Sequence, residues 1–310
     1  MRRHLALAAL ALALFSCSKP EASKLQLALN WKPEPEFGGI FEAERLDSFT
    51  KRDLSVERTG GPGAPVVQMV AAGQVRFGIA GADEVVLARD RGSDVVAVFA
   101  TYQTSPVGLM THAARGIDSL AALLASPGTL AVEPGSPYVK FLEKRYGFGA
   151  LRVVPYGFSI SPFLADPAMS QQVFVTSEPI SARRAGADPR VFLVAESGYD
   201  PYTAVVITQG EAVRGSREEI ARFVAALREG WLGYLADPAP ANAAMAKLNP
   251  EMDAEAFALA AAEQKPLIEV EGRGVGRMTP ERWGKLASQL QELGLIKTAQ
   301  PPENYFASFE

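Results

Sequence analysis

The 310 residues include 31 Lys and Arg against 35 Asp and Glu, a formal net charge of −4, and 48% of them are hydrophobic. A weakly acidic chain lacks the basic face that general nucleic-acid binding needs, so we exclude nucleic acid as a partner. With one cysteine and two histidines, the chain cannot form an internal disulfide or a cysteine-rich or histidine-rich metal site. We expect neither a metal nor another cofactor.

The N-terminal residues have the pattern of a secretion signal. A basic start precedes an uncharged apolar run over residues 5–15, which is too short to span a bilayer because a span needs roughly 20 residues. Cys17 follows this run as in a bacterial lipoprotein cleavage site, although Phe15 is bulkier than usual. We predict a signal peptide over 1–16, lipidation of Cys17 and a tether over 17–24. Ordinary cleavage a few residues later is the alternative.

After the tether, short apolar runs with strand length alternate with helix-like runs. Three such units within about 80 residues predict an α/β fold class, with parallel strands joined by crossover helices. A second series follows, and the last third is mostly helical. The predicted strands are 25–29, 54–57, 77–80, 95–100, 107–111, 129–132, 173–176, 191–194 and 204–208. The predicted helices are 41–49, 65–72, 84–91, 118–124, 138–146, 216–235, 242–247, 254–262 and 281–293, and residues 300–302 suggest a terminal linker.

The segment after the first strand, residues 29–40, is the most unusual local sequence. Its two prolines block a helix and remove backbone donors, and Gly38-Gly39 allow the backbone to approach another group closely. A strand that opens into an aromatic, acidic turn and then a helix is where open α/β sheets place ligands. The alternative is a surface loop with Trp31 in the core.

Five predicted strand ends place polar or aromatic groups beside glycine or proline. Because the carboxyl ends of strands face the binding crevice of an open α/β sheet, their recurrence predicts one cleft between two lobes. Aromatic members could stack on a flat ligand, and acidic members could accept its N–H groups or pair with a cation. The helix start at Ser136 suits an anionic or carbonyl group. These strand ends contain Trp31 and Glu36, Asp83, Tyr102 and Gln103, Glu133 and Ser136, and Glu178.

Five short motifs follow one another along the chain, at 29–33, at Gly73 with 77–79, and at 133–137, 177–179 and 202–206. In this order they resemble ABC-transporter substrate-binding proteins, especially the thiamine-pyrimidine-precursor group, which is related to alkanesulfonate- and nitrate-binding proteins. The resemblance implies a type II periplasmic-binding-protein fold, with two α/β lobes, an interlobe cleft and two hinge crossings. Lobe 1 would contain 25–104 and 203–310, and lobe 2 would contain 105–202.

The resemblance also implies partners and a location. Ligand binding would close the lobes, and the closed form would dock on an ABC permease with its ATPase. We expect a periplasmic or cell-surface lipoprotein, held at the membrane through Cys17 and acting as a monomer.

The same resemblance suggests Trp31 as a stacking wall and Glu36 as a polar contact. Phe37, which we also predict to contact the ligand, occupies a slot where pyrimidine-precursor members often have histidine. A cysteine-rich motif is absent too, and both departures argue against self-consuming pyrimidine synthesis. The remaining residues that would bind ligand from the two sides of the cleft are Asp83, Tyr102, Gln103, Glu133, Ser136, Tyr138, Glu178 and Tyr202.

The leading hypothesis from the sequence is a receptor for a small, flat, nitrogen-bearing ligand such as an aminopyrimidine, without enzymatic activity. A sulfonate- or nitrate-type anion receptor is an alternative, which repulsion by several carboxylates disfavours. An enzyme on the same fold, with Glu36 or Glu133 as acid or base, is another. A third is a sensor receptor. A hydrolytic triad would depend on His112 alone, which we expect to be a surface or lobe-interface histidine.

Overall fold

The protein is described by a computed structural model that covers residues 24–309, so the predicted signal peptide and Cys17 lie outside the described residues. Two five-stranded sheets form two lobes, which confirms the two-lobed α/β fold. The strands are β1 Leu25–Leu29, β2 Val56–Gly60, β3 Phe77–Ala80, β4 Val95–Tyr102, β5 Val107–His112, β6 Gly128–Val132, β7 Leu151–Pro155, β8 Met169–Phe174, β9 Pro189–Leu193 and β10 Thr203–Gln209.

Helices cover the sheets and extend lobe 1 at the C-terminal end. None of the helices between residues 24 and 309 is both long and apolar enough to cross a membrane. They are α1 Gly38–Arg45, α2 Val66–Ala71, α3 Ala82–Asp90, α4 Leu120–Ala125, α5 Pro137–Tyr146, α6 Ser161–Ala165, α7 Glu178–Arg184, α8 Gly210–Gly215, α9 Arg217–Ala236, α10 Ala239–Ala246, α11 Ala254–Ile268 and α12 Pro280–Glu292.

The sheets are mixed rather than purely parallel, which corrects the sequence prediction. Sheet 1 has the order β2-β1-β3-β10-β4, and β10 runs antiparallel to both of its neighbours. Sheet 2 has the order β7-β6-β8-β5-β9, and β5 is antiparallel to β8 and β9. Each of these two strands is the first that the chain forms after it crosses to the other lobe. No crossover helix of the same sheet precedes it, so it is free to run antiparallel to its neighbours.

The chain passes between the two sheets twice, at residues 103–106 and 194–202. Arg282 of α12 holds both crossings, because its guanidinium donates to the carbonyl oxygens of Gln103, Asp200 and Pro201 and to Asp200 Oδ1 at 2.9 Å. The side chain of Asp200 also accepts from the backbone N–H of Ser105 at 2.8 Å. We call this set the hinge clamp.

The Gly38-Gly39 pair does allow close approach, but to another helix. A Cβ on Gly39 would lie 2.3 Å from the ring of Trp231, and one on Gly38 would lie 2.3 Å from the ring of Tyr234. Both aromatic residues belong to α9 and are almost fully buried. The two glycines therefore let α1 lie directly on α9, and this packing fixes the segment that precedes α1.

Some elements differ from the sequence prediction. The strand expected at 173–176 is β8, Met169–Phe174, because its central Ser170 and Gln171 are polar yet fully buried. Strand β7 and helix α6 were not predicted, since each is only five residues long and contains a proline. The expected linker at 300–302 is also wrong. It leads into a helical turn at Pro302–Asn304, and Phe306 then bridges to Ala97 of β4.

Candidate functional site

The segment between β1 and α1 forms the lobe 1 wall of a cleft between the sheets. Trp31 Nε1 donates to Glu34 Oε1 at 3.2 Å, and a helical turn at Pro35–Phe37 follows. Gln264 of α11 fixes this turn, because its Nε2 donates to the carbonyl of Pro35 at 2.8 Å. Its Oε1 in turn accepts from the hydroxyl of Tyr102 at 2.8 Å. Trp31, Glu34 and Glu36 thus stand half-buried on a rigid support.

The lobe 2 wall comes from the loop that follows β7. Phe158 of this loop stacks on Trp31 across the cleft, with ring centroids 6.1 Å apart and planes inclined by 30°. Tyr156 lies beside Phe158 at 5.2 Å between centroids. Phe158 is 64% exposed and has a φ of 53°, in the left-handed region that a bulky side chain rarely adopts. A strained, exposed aromatic facing a tryptophan of the other lobe is typical of a binding site rather than of a core.

Glu178 places a carboxylate next to this aromatic pair. It lies in the first turn of α7, where Oε1 accepts from the hydroxyl of Tyr156 at 2.8 Å and Oε2 accepts from the backbone N–H of Phe174 at 2.8 Å. Pro179 is the second residue of the helix and supplies no backbone N–H of its own. The carboxylate of Glu178 is therefore anchored by two hydrogen bonds, and its charge acts on Glu34 and Glu36 of lobe 1.

Glu34, Glu36 and Glu178 act on one another across the cleft. The pKa of Glu36 is raised to about 8, chiefly by burial and in addition by the charges of Glu34 and Glu178. Burial also raises the pKa of Glu34 and of Glu178. The positive charge of Lys32 lowers the pKa of Glu34, but Lys32 itself forms an ion pair with Glu251. We call the three carboxyl groups the acidic triad; none of them forms an ion pair with a cation among residues 24–309.

A second polar group lies at the start of α3. Asp83 Oδ1 accepts from the backbone N–H of Glu84 at 3.0 Å, and the hydroxyl of Tyr199 approaches its Oδ2 at 3.4 Å from lobe 2. Burial raises the pKa of Asp83, and burial together with the charges of Asp83 and Glu133 raises that of Glu84. This end of the cleft also accumulates negative charge from both lobes.

The start of α5 faces the same region. Ser136 is the N-cap residue with Pro137 directly after it, as predicted, although its side chain makes no capping hydrogen bond. The hydroxyl of Tyr138 donates to Gln172 Oε1 at 2.7 Å, and the same oxygen accepts from the backbone N–H of Glu133. Gln172 therefore ties the Glu133–Ser136 turn to the middle of sheet 2.

Four predicted ligand contacts are corrected by the structure, because their side chains have almost no exposed surface. Phe37 and Tyr102 are 0% exposed, Gln103 is 1% exposed and Tyr202 is 3% exposed. Phe37 packs in the core of lobe 1, and Tyr102 supports the Pro35 turn through Gln264. Gln103 donates to the carbonyls of Ala100 and Arg277, and Tyr202 accepts from the backbone N–H of Thr279. These residues build the turn and the hinge instead.

The remaining predicted residues stand half-buried or exposed around the cleft, and their contact with a ligand stays a prediction. They are Trp31, Glu36, Asp83, Glu133, Ser136, Tyr138 and Glu178. The sequence prediction missed Glu34, Tyr156, Phe158 and Tyr199. Tyr156 and Phe158 follow a strand and flank Gly157, the same signal that identified the other strand ends, and they were missed because β7 was.

The site contains no constellation of metal ligands. Among residues 24–309, no three His, Cys, Asp or Glu side chains are arranged to hold a metal ion. His112 lies elsewhere, with its ring stacked on Phe163 at 4.0 Å and its Nε2 at 2.9 Å from the carbonyl of Phe163.

A known protein family matches most of this chain. The NMT1/THI5-like family matches residues 34–241, which is more than half of the chain. The chain belongs to the NMT1/THI5-like family. The matched residues of this chain begin at Glu34, in the lobe 1 wall of the cleft, and include all of lobe 2. No curated protein sequence matches the chain.

Solved structures share the fold of this NMT1/THI5-like chain. The periplasmic aliphatic sulphonate binding protein SsuA from Escherichia coli has a TM-score of 0.73 at 13% identity, covering 94% of each chain. The alkanesulfonate-binding protein SsuA from Xanthomonas axonopodis pv. citri, bound to MOPS, has a TM-score of 0.67 at 12% identity, covering 93% and 99%. The desulfurization enzyme DSZB has a TM-score of 0.63 at 11% identity, covering 92% and 96%. The type II periplasmic-binding-protein fold is therefore confirmed.

Proposed function

We propose that this protein is an extracytoplasmic solute-binding receptor of an ABC importer, and that it captures a small, flat, nitrogen-bearing ligand by closure of its lobes. The observation that carries the proposal is the Trp31–Phe158 pair, which spans the two lobes beside the acidic triad. The family and fold support a binding protein. The chemistry of the cleft supports the class of ligand.

The aromatic pair has the spacing of a clamp. A planar ring held between two aromatic faces needs about 7 Å between their centroids, twice an ordinary contact distance of about 3.5 Å. The separation of 6.1 Å is slightly less than this. A small opening of the lobes would admit a ring, and closure would stack Trp31 and Phe158 on its two faces. Both lobes would then share one ligand, as receptor closure requires.

The acidic triad selects positive or hydrogen-bond-donating groups on that ring. Burial and neighbouring carboxyl groups make these acids costly to ionise, so they gain most from a ligand whose protonated or amine N–H groups stabilise the ionised form. The same carboxyl groups would repel an anionic ligand. A sulfonate receptor is nevertheless the second candidate, since two of the similar structures are sulfonate-binding proteins and the free N-terminus of α5 at Ser136 can receive an anionic group.

Other parts of the proposal rest on the sequence. Lipidation of Cys17 would hold the receptor at the membrane, where it would meet a permease with its ATPase as a monomer. We propose no catalytic role, because two of the similar structures are binding proteins and the aromatic pair and carboxyl groups of the cleft suit ligand capture. The similarity to DSZB makes turnover a point to measure.

Ligand class can be decided by thermal shift with three probe sets: aminopyrimidines, aliphatic amines, and sulfonates including MOPS. A ligand at about 100 times its Kd adds about 2.7 kcal/mol of stability, which raises the Tm by at least about 5 °C. We expect this response to aminopyrimidines, and we expect Trp31→Ala to abolish it. Tyr146→Ala, which removes an exposed aromatic from the far end of α5, should not.

A response to sulfonates alone would overturn the nitrogen-bearing ligand class while leaving a receptor. Native mass spectrometry of protein purified with its endogenous ligand gives the mass of the natural solute. Recovery of that ligand unchanged after long incubation is expected of a receptor. Its conversion, lost in Glu36→Gln, would show an enzyme instead.

A further inference from the structure

A cavity that is separate from the cleft residues lies against the two hinge crossings. It has a volume of about 560 Å³ and is lined by residues of both crossings and of the segment 272–289. None of Trp31, Phe158 or the acidic triad lines it. Its size falls within the roughly 300–1,000 Å³ that small-molecule sites occupy.

The charge of this hinge cavity is opposite to that of the cleft. Four cationic side chains line it against two acidic ones, in a chain with a net charge of −4. The cations are Arg273, Arg277, Arg282 and Lys285, and the acids are Asp200 and Glu281.

Two of these cations already have partners. Arg282 belongs to the hinge clamp and pairs with Asp200 at 2.9 Å. Arg273 donates to the carbonyl of Gln103 and lies 3.8 Å from Asp200. Asp200 is therefore used by two guanidinium groups and has little capacity to neutralise further charge.

The other two cations are unpaired within the described part of the chain. Arg277 and Lys285 are exposed, and no carboxylate of residues 24–309 lies within ion-pair distance of either. Arg277 is positioned by a loop in which Gly272, Gly274 and Gly276 all have φ between 70° and 81°. A Cβ on Gly276 would lie 2.1 Å from the ring of Phe99, so the loop is pressed onto β4 and its arginines face outward into the cavity.

We propose that the hinge cavity binds a small multivalent oxyanion, held by Arg277 and Lys285 with help from Arg273. Guanidinium groups bind phosphate and carboxylate oxygens with two parallel hydrogen bonds, and a lysine adds a point charge. The ligand class is therefore a compact phosphate or polycarboxylate. Such an anion would sit against both crossings, where Gln103 and Asp200 form part of the lining.

Isothermal titration calorimetry with pyrophosphate and with citrate, each at constant ionic strength set by NaCl, tests this site. We expect saturable binding of one anion with a Kd below about 1 mM. Tighter binding of pyrophosphate would identify phosphate as the preferred group, and tighter binding of citrate would identify carboxylate. The variant Arg277→Gln/Lys285→Gln should weaken binding at least about tenfold, because it removes charge-assisted hydrogen bonds and leaves the hinge clamp intact.

Two controls make the result specific. Arg222→Gln/Lys140→Gln removes the same charges from exposed positions outside the cavity and should bind like the wild type. Trp31→Ala should also bind the anion normally. Absence of saturable binding, or equal binding by the hinge double variant, would overturn the proposal. Loss of anion binding in Trp31→Ala would overturn it too, since the anion would then occupy the cleft, and that outcome would favour the sulfonate-type receptor.

Discussion

The cleft and the hinge both remove charged groups from water, but they do so in opposite ways. At the hinge, Arg282 is only 14% exposed in its side chain and meets Asp200, which is 23% exposed, while its other N–H groups donate to backbone carbonyls. In the cleft, the acidic triad places three carboxyl groups near one another with no cation of their own.

This difference separates a structural charge from a functional one. A buried charge with a complete set of partners holds its surroundings in place and has nothing left to offer a ligand. Charges of one sign gathered in a cavity cost stability and are characteristic of sites that await a partner. The hinge clamp is of the first kind and the acidic triad is of the second.

The largest effect is expected from breaking the hinge clamp. Arg282→Ala leaves Asp200 without its main partner and removes donors from two crossings, so it should lower the free energy of unfolding by about 3–5 kcal/mol. Urea denaturation measures this loss. Arg282→Lys keeps the charge without the planar fork and should recover only part of the loss. A loss below about 1 kcal/mol for Arg282→Ala would show that the clamp does not hold the hinge.

Removing a charge from the acidic triad should raise the stability of the unliganded protein, whereas breaking the hinge clamp lowers it. The pKa of Glu36 is raised from 4.5 to about 8, so the folded state binds more protons than the unfolded state between these values. The stability of the unliganded protein therefore falls as pH rises from about 4.5 to about 8. Glu36→Gln cannot ionise, and its Tm should exceed that of the wild type by several degrees at pH 8.5. The advantage should shrink toward pH 4.5.

A matched substitution checks that this pH dependence belongs to the cleft. Glu143→Gln changes an exposed glutamate on α5 and should follow the wild-type profile of Tm against pH. If Glu36→Gln and the wild type keep a constant difference from pH 4.5 to pH 8.5, the acidic triad does not carry the proposed repulsion. Differential scanning calorimetry across this range provides both profiles.

The aromatic clamp should affect binding more than stability. Phe158 is largely exposed, so Phe158→Ala should change the free energy of unfolding by less than about 0.5 kcal/mol. It should weaken binding of the endogenous ligand about tenfold to a hundredfold, since stacking of a flat ring on an aromatic side chain is worth about 1–3 kcal/mol. Calorimetric titration measures this change. Phe158→Tyr should retain affinity, and equal weakening by both variants would argue against stacking.

The smallest effect is expected from an ion pair like that of the hinge but exposed to water. Arg184 of α7 pairs with Asp253 at the start of α11, and their side chains are 40% and 56% exposed. Arg184→Gln should cost less than about 1 kcal/mol, and high salt should erase the difference. Urea denaturation at low and high salt tests both statements. If Arg184→Gln lowered the free energy of unfolding as much as Arg282→Ala, and did so at high salt as well, burial would not explain the difference between the two ion pairs.

Local sequence determined the parts of this protein that depend on nearby residues. Apolar runs with strand length placed strands such as Leu25–Leu29 and Phe77–Ala80 at their observed bounds. The Ser136-Pro137 start of α5 was also evident, since capping and proline preferences act within a few residues. The polar and aromatic strand ends then indicated a cleft between two lobes.

Only the tertiary structure decided which of those residues face the cleft. Phe37 and Tyr102 lie at suitable strand ends, yet both are buried in the core of lobe 1, and Tyr102 is held by Gln264 of α11, which is 162 positions away. Phe158 was missed together with β7, and only the tertiary structure shows that it stacks on Trp31 of the other lobe. The hinge clamp likewise joins α12 to two distant crossings. Side-chain direction and long-range partners are set by packing, which a local pattern does not record.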